Sequence, residues 1–217
     1  MASFLNKDGL VVIKDLIKTI QDNRQYLSEI DGAIGDGDHG INMNKGFTLC
    51  ADKIKDKEMN LTQGLKTLGR TLLTDIGGSM GPLYGSFFIE MSKAAGESES
   101  VDAALFGGML EAAYSGIKKL GEAKIGDKTL IDTLDPAVAA YRQALEEGKG
   151  FAEALTGMKA AAIKGRDSTI DLVAKVGRAS RLGERSRGVL DAGATSCCLI
   201  LCSMADSINL LIGNKSI

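Results

Sequence analysis

The sequence has little proline, no tryptophan and a single histidine. Two of its 217 residues are proline, whereas about 5% is usual. Since proline interrupts helices, its scarcity favours long, uninterrupted helices. Glycine departs in the opposite direction, with 27 residues where about 7% is usual. Because glycine weakens helix interiors, we expect the surplus in the loops, and function should be sought there.

The chain also lacks an excess of charge of either sign. Its 26 basic and 28 acidic residues give a net charge of −2, so no overall basic field points to nucleic acid or to an anionic membrane surface. The four cysteines form no CxxC pair and are typical of buried thiols in a reducing cytosol.

Long hydrophobic runs are missing as well. The longest apolar stretch, 194–205, is interrupted by hydroxyl residues and falls short of the ~20 residues that a membrane span needs. The first residues contain no unbroken apolar segment typical of a signal peptide. We therefore expect a cytoplasmic protein with no membrane partner.

Apolar residues recur at spacings of three and four along most of the chain, as in amphipathic helices. No window alternates clearly enough to predict a strand. The pattern predicts an all-α fold of seven or eight antiparallel helices, in a single domain covering 1–217. The helical segments are 10–20, 61–76, 83–91, 105–120, 130–145, 151–162 and about 193–211.

The connections between these segments share an unusual composition. Each combines glycine with aspartate or arginine: 32–40, 77–85, 121–129, 177–188 and 191–194. Loops that only reverse the chain do not need this chemistry. If they gather at one end of a helical bundle, they can form a phosphate site.

Three aspartates, Asp31, Asp36 and Asp38, lie within eight residues and alternate with glycines. Carboxylates this close repel one another unless a cation or several N–H donors hold them. All-oxygen ligands suit Mg²⁺, Ca²⁺ or Mn²⁺. An EF-hand is excluded, because the sixth and twelfth residues from Asp36 are Ile41 and Phe47, where glycine and glutamate are required. An aspartate-rich turn leading into a helix, without metal, is the alternative.

His39 adjoins this acidic motif and is the only histidine. Two functional roles compete for it, a donor to a bound nucleotide and a phosphorylated relay residue, beside ordinary packing. Asn42 and Asn44 follow; either one of them binds a base or phosphate edge, or each is a polar residue on a first helical turn.

Two further loops carry features that suit phosphate. In 77–85, Pro82 fits the first turn of a helix, so the N–H groups before it are placed to face an anion; no Walker sequence is present, and glycines that permit close helix packing are the alternative. The second loop has five basic residues, of which we expect Arg187 to lie on a solvated face. They are Lys175, Arg178, Arg181, Arg185 and Arg187.

Taken together, these motifs resemble the nucleotide-binding L subunits of bacterial dihydroxyacetone kinases. The resemblance is carried by IGDGDHGINMNKGF (34–47), LLTDIGGSMGPLYGSFF (72–88), IGDKTLID (125–132), GRASRLGERSRG (177–188) and DAGATS (191–196). It covers essentially the whole chain, with the motifs in order.

The resemblance implies a barrel of eight antiparallel helices with ADP or ATP bound in the loops at one end. It implies that Asp31, Asp36 and Asp38 hold two Mg²⁺ ions that bridge the nucleotide phosphates. It further implies nucleotide contacts from a set of residues carried over by position: His39, Gly40, Ile41, Asn42, Ser79, Met80, Gly121, Leu130, Arg178, Asp191, Ala192 and Gly193. Some relatives have alanine at the position of Ser79 and proline at that of Ala192. Catalysis is expected to be electrostatic, with Arg178 the one candidate catalytic side chain.

The implied reaction is phosphoryl transfer to dihydroxyacetone held on a separate K subunit. A histidine at position 39, where ATP-consuming relatives typically have cysteine, resembles the form in which a phosphohistidine protein of the phosphotransferase system, the M subunit, recharges a bound ADP. The alternatives are a subunit of an ATP-dependent tetrulose kinase, a fatty-acid kinase nucleotide domain and a non-enzymatic regulatory module. The resemblance leaves open which hydroxyketone is used, and whether the chain forms a homodimer.

Overall fold

The computed structural model describes residues 2–213; residues 1 and 214–217 of the predicted single domain lie outside the described residues. The described chain is almost entirely helical, which confirms the all-α prediction. The nine α-helices are α1 (Leu10–Asp22), α2 (Arg24–Ile34), α3 (His39–Ile54), α4 (Leu61–Asp75), α5 (Met80–Ala95), α6 (Ala103–Lys118), α7 (Ile131–Glu146), α8 (Phe151–Ser168) and α9 (Ala192–Gly213).

Eight of these helices form a closed ring. The chain runs from α3 to α9 with each helix packed on the next, and α1 closes the ring by packing on both α9 and α3. The short α2 lies outside this order and packs mainly on α3. The two helices absent from the periodicity are α2 and α3, whose glycines and asparagines dilute the apolar pattern.

The prediction that the chain has no strand is wrong. Ser3–Leu5 (β1) pairs antiparallel with Ser100–Asp102 (β2), with Phe4 opposite Val101, and both of these side chains are fully buried. Three residues are too few to display a period of two, so the sequence pattern does not reveal the pair.

Helix α9 is the most buried helix of the ring, with apolar side chains on nearly every face. It packs on α1, α2, α7 and α8. By length and composition it is apolar enough to cross a membrane, and 56% of its most apolar window is buried inside the protein. It is longer than the apolar run 194–205 because the helix continues through the polar residues Asp206 and Asn209.

Local signals fix where the helices begin. Asn60 and Gln63 form a reciprocal capping box at α4, and Asp102 accepts the N–H of Leu105 at α6. Pro82 lies in the first turn of α5, as its missing N–H and fixed φ favour. The turns before α3, α5, α7 and α9 lie at the same end of the ring, since residues of all four line one cavity.

Candidate functional site

One cavity of about 760 Å³ occupies this end of the ring. It is lined by the segments that precede α3, α5, α7 and α9, and the first residue of each of these helices reaches it: His39, Met80, Ile131 and Ala192. The N-terminus of a helix presents unpaired N–H groups and a partial positive charge. Four such ends around one cavity favour an anion such as phosphate. The prediction that the glycine-rich loops meet at one end is confirmed.

Three carboxylates stand at the edge of this cavity. Asp31, near the end of α2, and Asp36 and Asp38, in the turn before α3, each place one oxygen within 4.8 Å of the others. The turn needs glycine: Gly37 has a φ of +75°, and a Cβ on Gly35 would collide with the carboxylate of Asp31. The local sequence therefore folds so as to bring like charges together.

The donor set of this cluster fits a hard divalent cation. It offers oxygen atoms only, with neither sulfur nor imidazole among the three groups, which suits Mg²⁺ or Mn²⁺ rather than Zn²⁺. The guanidinium of Arg178 forms an ion pair with the carboxylate of Asp36, so the cluster already binds one cationic group. Arg178 begins a 3₁₀ segment, Arg178–Ser186, and its side chain is 63% exposed.

His39 is turned into the core rather than into solvent. Its Nε2 lies 2.8 Å from the hydroxyl of Ser196, which is 2.6 Å from the hydroxyl of Tyr84; Tyr84 also donates to the carbonyl of Gly193. Burial lowers the pKa of His39 to about 4, against the opposing effect of the Asp31 carboxylate. The imidazole is thus neutral at pH 7 and ties the starts of α3, α5 and α9 together, an arrangement that disfavours the relay role.

Asp191 stands at the start of α9, where its carboxylate accepts the N–H of Ala194 at 2.7 Å. Burial raises the pKa of Asp191 to about 7, although the hydrogen bond from Ala194 and the ammonium of Lys128 act in the opposite direction. Desolvation disfavours the charged form. The ionised carboxylate of Asp191 is therefore unfavourable in the free protein, and a cation bound nearby would stabilise it.

Part of the cavity wall is apolar. Leu83, Ile117, Leu120, Leu130 and Val176 contribute to it, and Leu120 and Val176 are about half exposed. An apolar wall combined with carboxylates and helix termini in one cavity suits a ligand that has a flat, apolar ring as well as anionic groups.

The structure brings together most of the residues singled out in the sequence. The cavity is lined by Asp31, Asp36, Asp38, His39, Asn42, Ser79, Met80, Gly121, Leu130, Arg178, Asp191, Ala192 and Gly193. Gly40 and Ile41 are not among its lining residues. Gly40 instead packs against α2, where a Cβ would collide with the carbonyl oxygen of Arg24, and Ile41 is 49% exposed.

Arg187 lies on a solvated face, as the sequence analysis expected, with its side chain 51% exposed. Its side chain donates to the carbonyl oxygen of Asp171 and to the carboxylate of Glu184 at 3.1 Å. It therefore helps to close the base of its own loop. Arg185 is exposed and takes part in no ion pair within residues 2–213.

Sequence reasoning missed the buried polar groups around the loop before α7. Lys128 is 1% exposed, and its ammonium donates to the carbonyl oxygens of Thr169, Leu172 and Val189. Asp132 accepts the N–H groups of Gly126 and Thr129. The stretch 125–132 carried part of the family resemblance, but nothing in its composition distinguishes a buried lysine from a solvated one.

The fold and the site thus define a closed helical ring whose loops are suited to an anion beside a divalent cation. A family profile, the DAK2 domain, matches residues 33–206. The ADP-binding subunit DhaL of a PEP-dependent dihydroxyacetone kinase from Listeria innocua is 44% identical over 88% of this chain and 91% of its own length. The corresponding subunit from Escherichia coli K12 is 41% identical over 79% and 82%.

A solved structure extends the comparison to the fold. The dihydroxyacetone kinase from C. freundii, in complex with AMP-PNP and Mg²⁺, matches with a TM-score of 0.66 and 23% identity, over 91% of this chain and 33% of that one. This chain therefore spans about a third of that larger protein. The chain belongs to the DAK2 domain family.

Proposed function

We propose that this chain is the ADP-binding subunit of a dihydroxyacetone kinase and acts in phosphoryl transfer. The observation that carries the proposal is the joint approach of four helix N-termini and three carboxylates to one cavity. The two relatives 44% and 41% identical are both named as ADP-binding subunits of PEP-dependent dihydroxyacetone kinases. We expect such a subunit to work in the cytoplasm.

The residues assigned to each part of the ligand follow from their positions. Asp31, Asp36 and Asp38 would hold Mg²⁺, two ions in our proposal, which would neutralise charge on the phosphates. The N–H groups at the starts of α3, α5 and α9 would bind phosphate oxygens. The apolar wall at Leu120 and Leu130 would cover the base.

The chain's own contribution to transfer is positioning and electrostatic stabilisation. Arg178 is the exposed cation beside the carboxylate cluster among the described lining residues, and it would stabilise negative charge on the transferred group. No side chain in the cavity is arranged to bind a ketone covalently, since the one histidine is hydrogen-bonded in the core. The substrate would accordingly come from a partner that binds dihydroxyacetone, the K subunit.

The phosphoryl donor in this proposal is a phosphohistidine protein of the phosphotransferase system. The nucleotide would remain on the chain and be recharged in place, which requires it to dissociate slowly compared with turnover. Four helix ends and a carboxylate cluster suited to Mg²⁺ around one cavity provide a physical basis for slow release.

The test is retention of labelled ADP. The chain is loaded with labelled ADP and Mg²⁺, freed from excess, and supplied with the dihydroxyacetone-binding subunit, the phosphohistidine protein and phosphoenolpyruvate. We expect the label to stay bound through many turnovers. Exchange of the label in every cycle, with free ATP alone sustaining the rate, would instead make this chain a subunit of an ATP-dependent kinase.

A further inference from the structure

Lys128 is conspicuous for both its burial and its backbone. It is the one non-glycine residue with a positive φ among residues 2–213, at 62°, a conformation that costs about 1 kcal/mol or more and persists only where the surroundings impose it. Its side chain is 1% exposed, which is rare for lysine. Because both the backbone conformation and the burial of the ammonium are unfavourable, we expect a stabilising contact at this residue.

That contact is a complete set of acceptors for the ammonium group. A lysine ammonium has three N–H donors, and Nζ of Lys128 has three carbonyl oxygens around it: Val189 at 2.6 Å, Thr169 at 2.7 Å and Leu172 at 3.2 Å. Desolvation is thereby offset by charge-assisted hydrogen bonds. Lys128 lines the cavity, but its ammonium donates to backbone carbonyl oxygens, so no N–H of the ammonium is left for a ligand there.

The three acceptors mark the two ends of one loop. We call residues 173–188 the arginine loop; it carries Arg178 and four further basic side chains. Leu172 and Thr169 lie just before the loop, and Val189 lies just after it. One ammonium therefore holds the entry and the exit of the arginine loop together.

Neighbouring contacts also join the two ends of the arginine loop, which together we call its neck. The N–H of Gly188 donates to the carbonyl of Ile170 at 2.8 Å, and the N–H of Lys175 donates to the carbonyl of Asp127 at 3.1 Å. The hydroxyl of Thr169 accepts the N–H of Asp191 at 3.0 Å. The neck is thus continuous with the start of α9, which lines the cavity.

We propose that Lys128 is a positioning residue that closes the neck of the arginine loop and thereby sets Arg178 against the carboxylate cluster. The role of Arg178 toward phosphate rests on the proposed function. The contacts by which Lys128 holds the two ends of the loop together, which we call the clasp, do not depend on it. Lys128 itself touches no phosphate in this proposal.

Limited trypsin digestion tests the clasp directly, since five cleavage sites lie within the arginine loop. Lys128→Met keeps the length of the side chain and removes its donors. We expect its initial cleavage within 173–188 to be at least tenfold faster than in the unmodified chain, while cleavage elsewhere changes little. The matched control is Lys159→Met, which removes an exposed lysine paired with Asp206 and should leave loop cleavage unchanged.

Lys128→Gln, which retains two N–H donors, should be cleaved at an intermediate rate. If Lys128→Met does not fold, Lys128→Gln is compared with the unmodified chain instead. Cleavage of the loop at the unmodified rate in a folded variant would overturn the proposal. So would acceleration spread evenly over all sites, because that indicates general destabilisation.

Binding measurements test the link to Arg178. We expect Lys128→Met to weaken Mg-ADP binding at least tenfold and to change adenosine binding less than twofold, since adenosine has no phosphate. Arg178→Ala should cost less in the Lys128→Met background than alone, because both changes act through one contact; additive losses would overturn the positioning role. If Arg178→Ala alone leaves Mg-ADP affinity unchanged, the proposed function of Arg178 fails, and digestion alone then decides the clasp.

Discussion

Asp38→Asn gives the sharpest test of the carboxylate cluster, because the structure separates this residue from its two neighbours. Asp31 accepts the backbone N–H of His39, and Asp36 is paired with Arg178, so changing either would also break a protein contact. Asp38 is the N-cap residue of α3 and makes no capping hydrogen bond through its side chain. Replacing it with asparagine removes the charge alone.

The expected effect on the free chain is stabilisation. The three carboxylate oxygens lie within 4.8 Å of one another, and at about 4 Å two like charges repel by about 1 kcal/mol in a water-like medium. Asp38 takes part in two such pairs, so its neutralisation gains about 2 kcal/mol, less the 0.3–1 kcal/mol, roughly, that a negative charge contributes at a helix N-terminus. A net gain of about 1 kcal/mol corresponds to a rise in Tm of about 2–4 °C for a chain of this size.

With Mg-ADP bound, Asp38→Asn is expected to lower the stability of the folded chain. A ligand present at a thousand times its Kd stabilises the folded state by about 4.1 kcal/mol, and Asp38→Asn should lose most of that gain with Mg-ADP. Thermal melts with and without Mg-ADP, alongside calorimetry, measure both effects on one sample. Asp52→Asn is the matched control, since Asp52 is exposed and lies on the same helix. An unchanged Mg-ADP affinity in Asp38→Asn would refute the metal assignment.

Two further predictions concern the charges that face the same cavity. Arg178→Ala should lower Mg-ADP affinity by about 1.5–3 kcal/mol, the usual range for a hydrogen bond to a charged group, whereas Arg185→Ala on the same loop should change it little; calorimetry that gives equal losses would make this a generic basic loop. Asp191→Asn should raise stability without ligand, because the pKa of Asp191 is raised to about 7. A carboxyl whose folded pKa is raised binds its proton more tightly in the folded state, so that stability falls as pH rises from about 4 to 7. The advantage of Asp191→Asn should therefore be near zero at pH 4 and reach at most about 4 kcal/mol above pH 7; urea unfolding across that range checks it, and a difference that does not vary with pH would contradict it.

The fold was largely predictable because its signals are local. Long helices leave a period of 3.6 in the sequence, and the residues that begin them, such as Asn60 and Pro82, are recognisable by type. Helices α2 and α3 escaped detection because the glycines of the acidic motif lie within and between them. The paired strands escaped because each has only three residues, too few to display a period of two.

The carboxylate cluster was predictable for a different reason. Its three members lie within eight residues, so their proximity in space follows from their proximity in the chain. Arg178 and Asp191 are distant from them in sequence; Asp191 was assigned through the family resemblance, and the resemblance alone distinguished Arg178 from the other basic residues of its loop. Their approach to the cluster depends on the closure of the ring, which no local pattern encodes.

Two residues have surroundings that the sequence did not reveal, and in both cases backbone groups set those surroundings. Gly40 must lack a side chain because a Cβ would collide with the carbonyl oxygen of Arg24. Lys128 was not singled out, because its partners are three carbonyl oxygens, and every residue of any type carries a carbonyl. A buried ammonium costs several kcal/mol unless its donors are satisfied, so such a lysine is stable only where the tertiary fold assembles those acceptors. A side chain that binds other side chains can be predicted from the residue types present. A side chain that binds backbone groups can be recognised only in the folded structure, where the loops are in place.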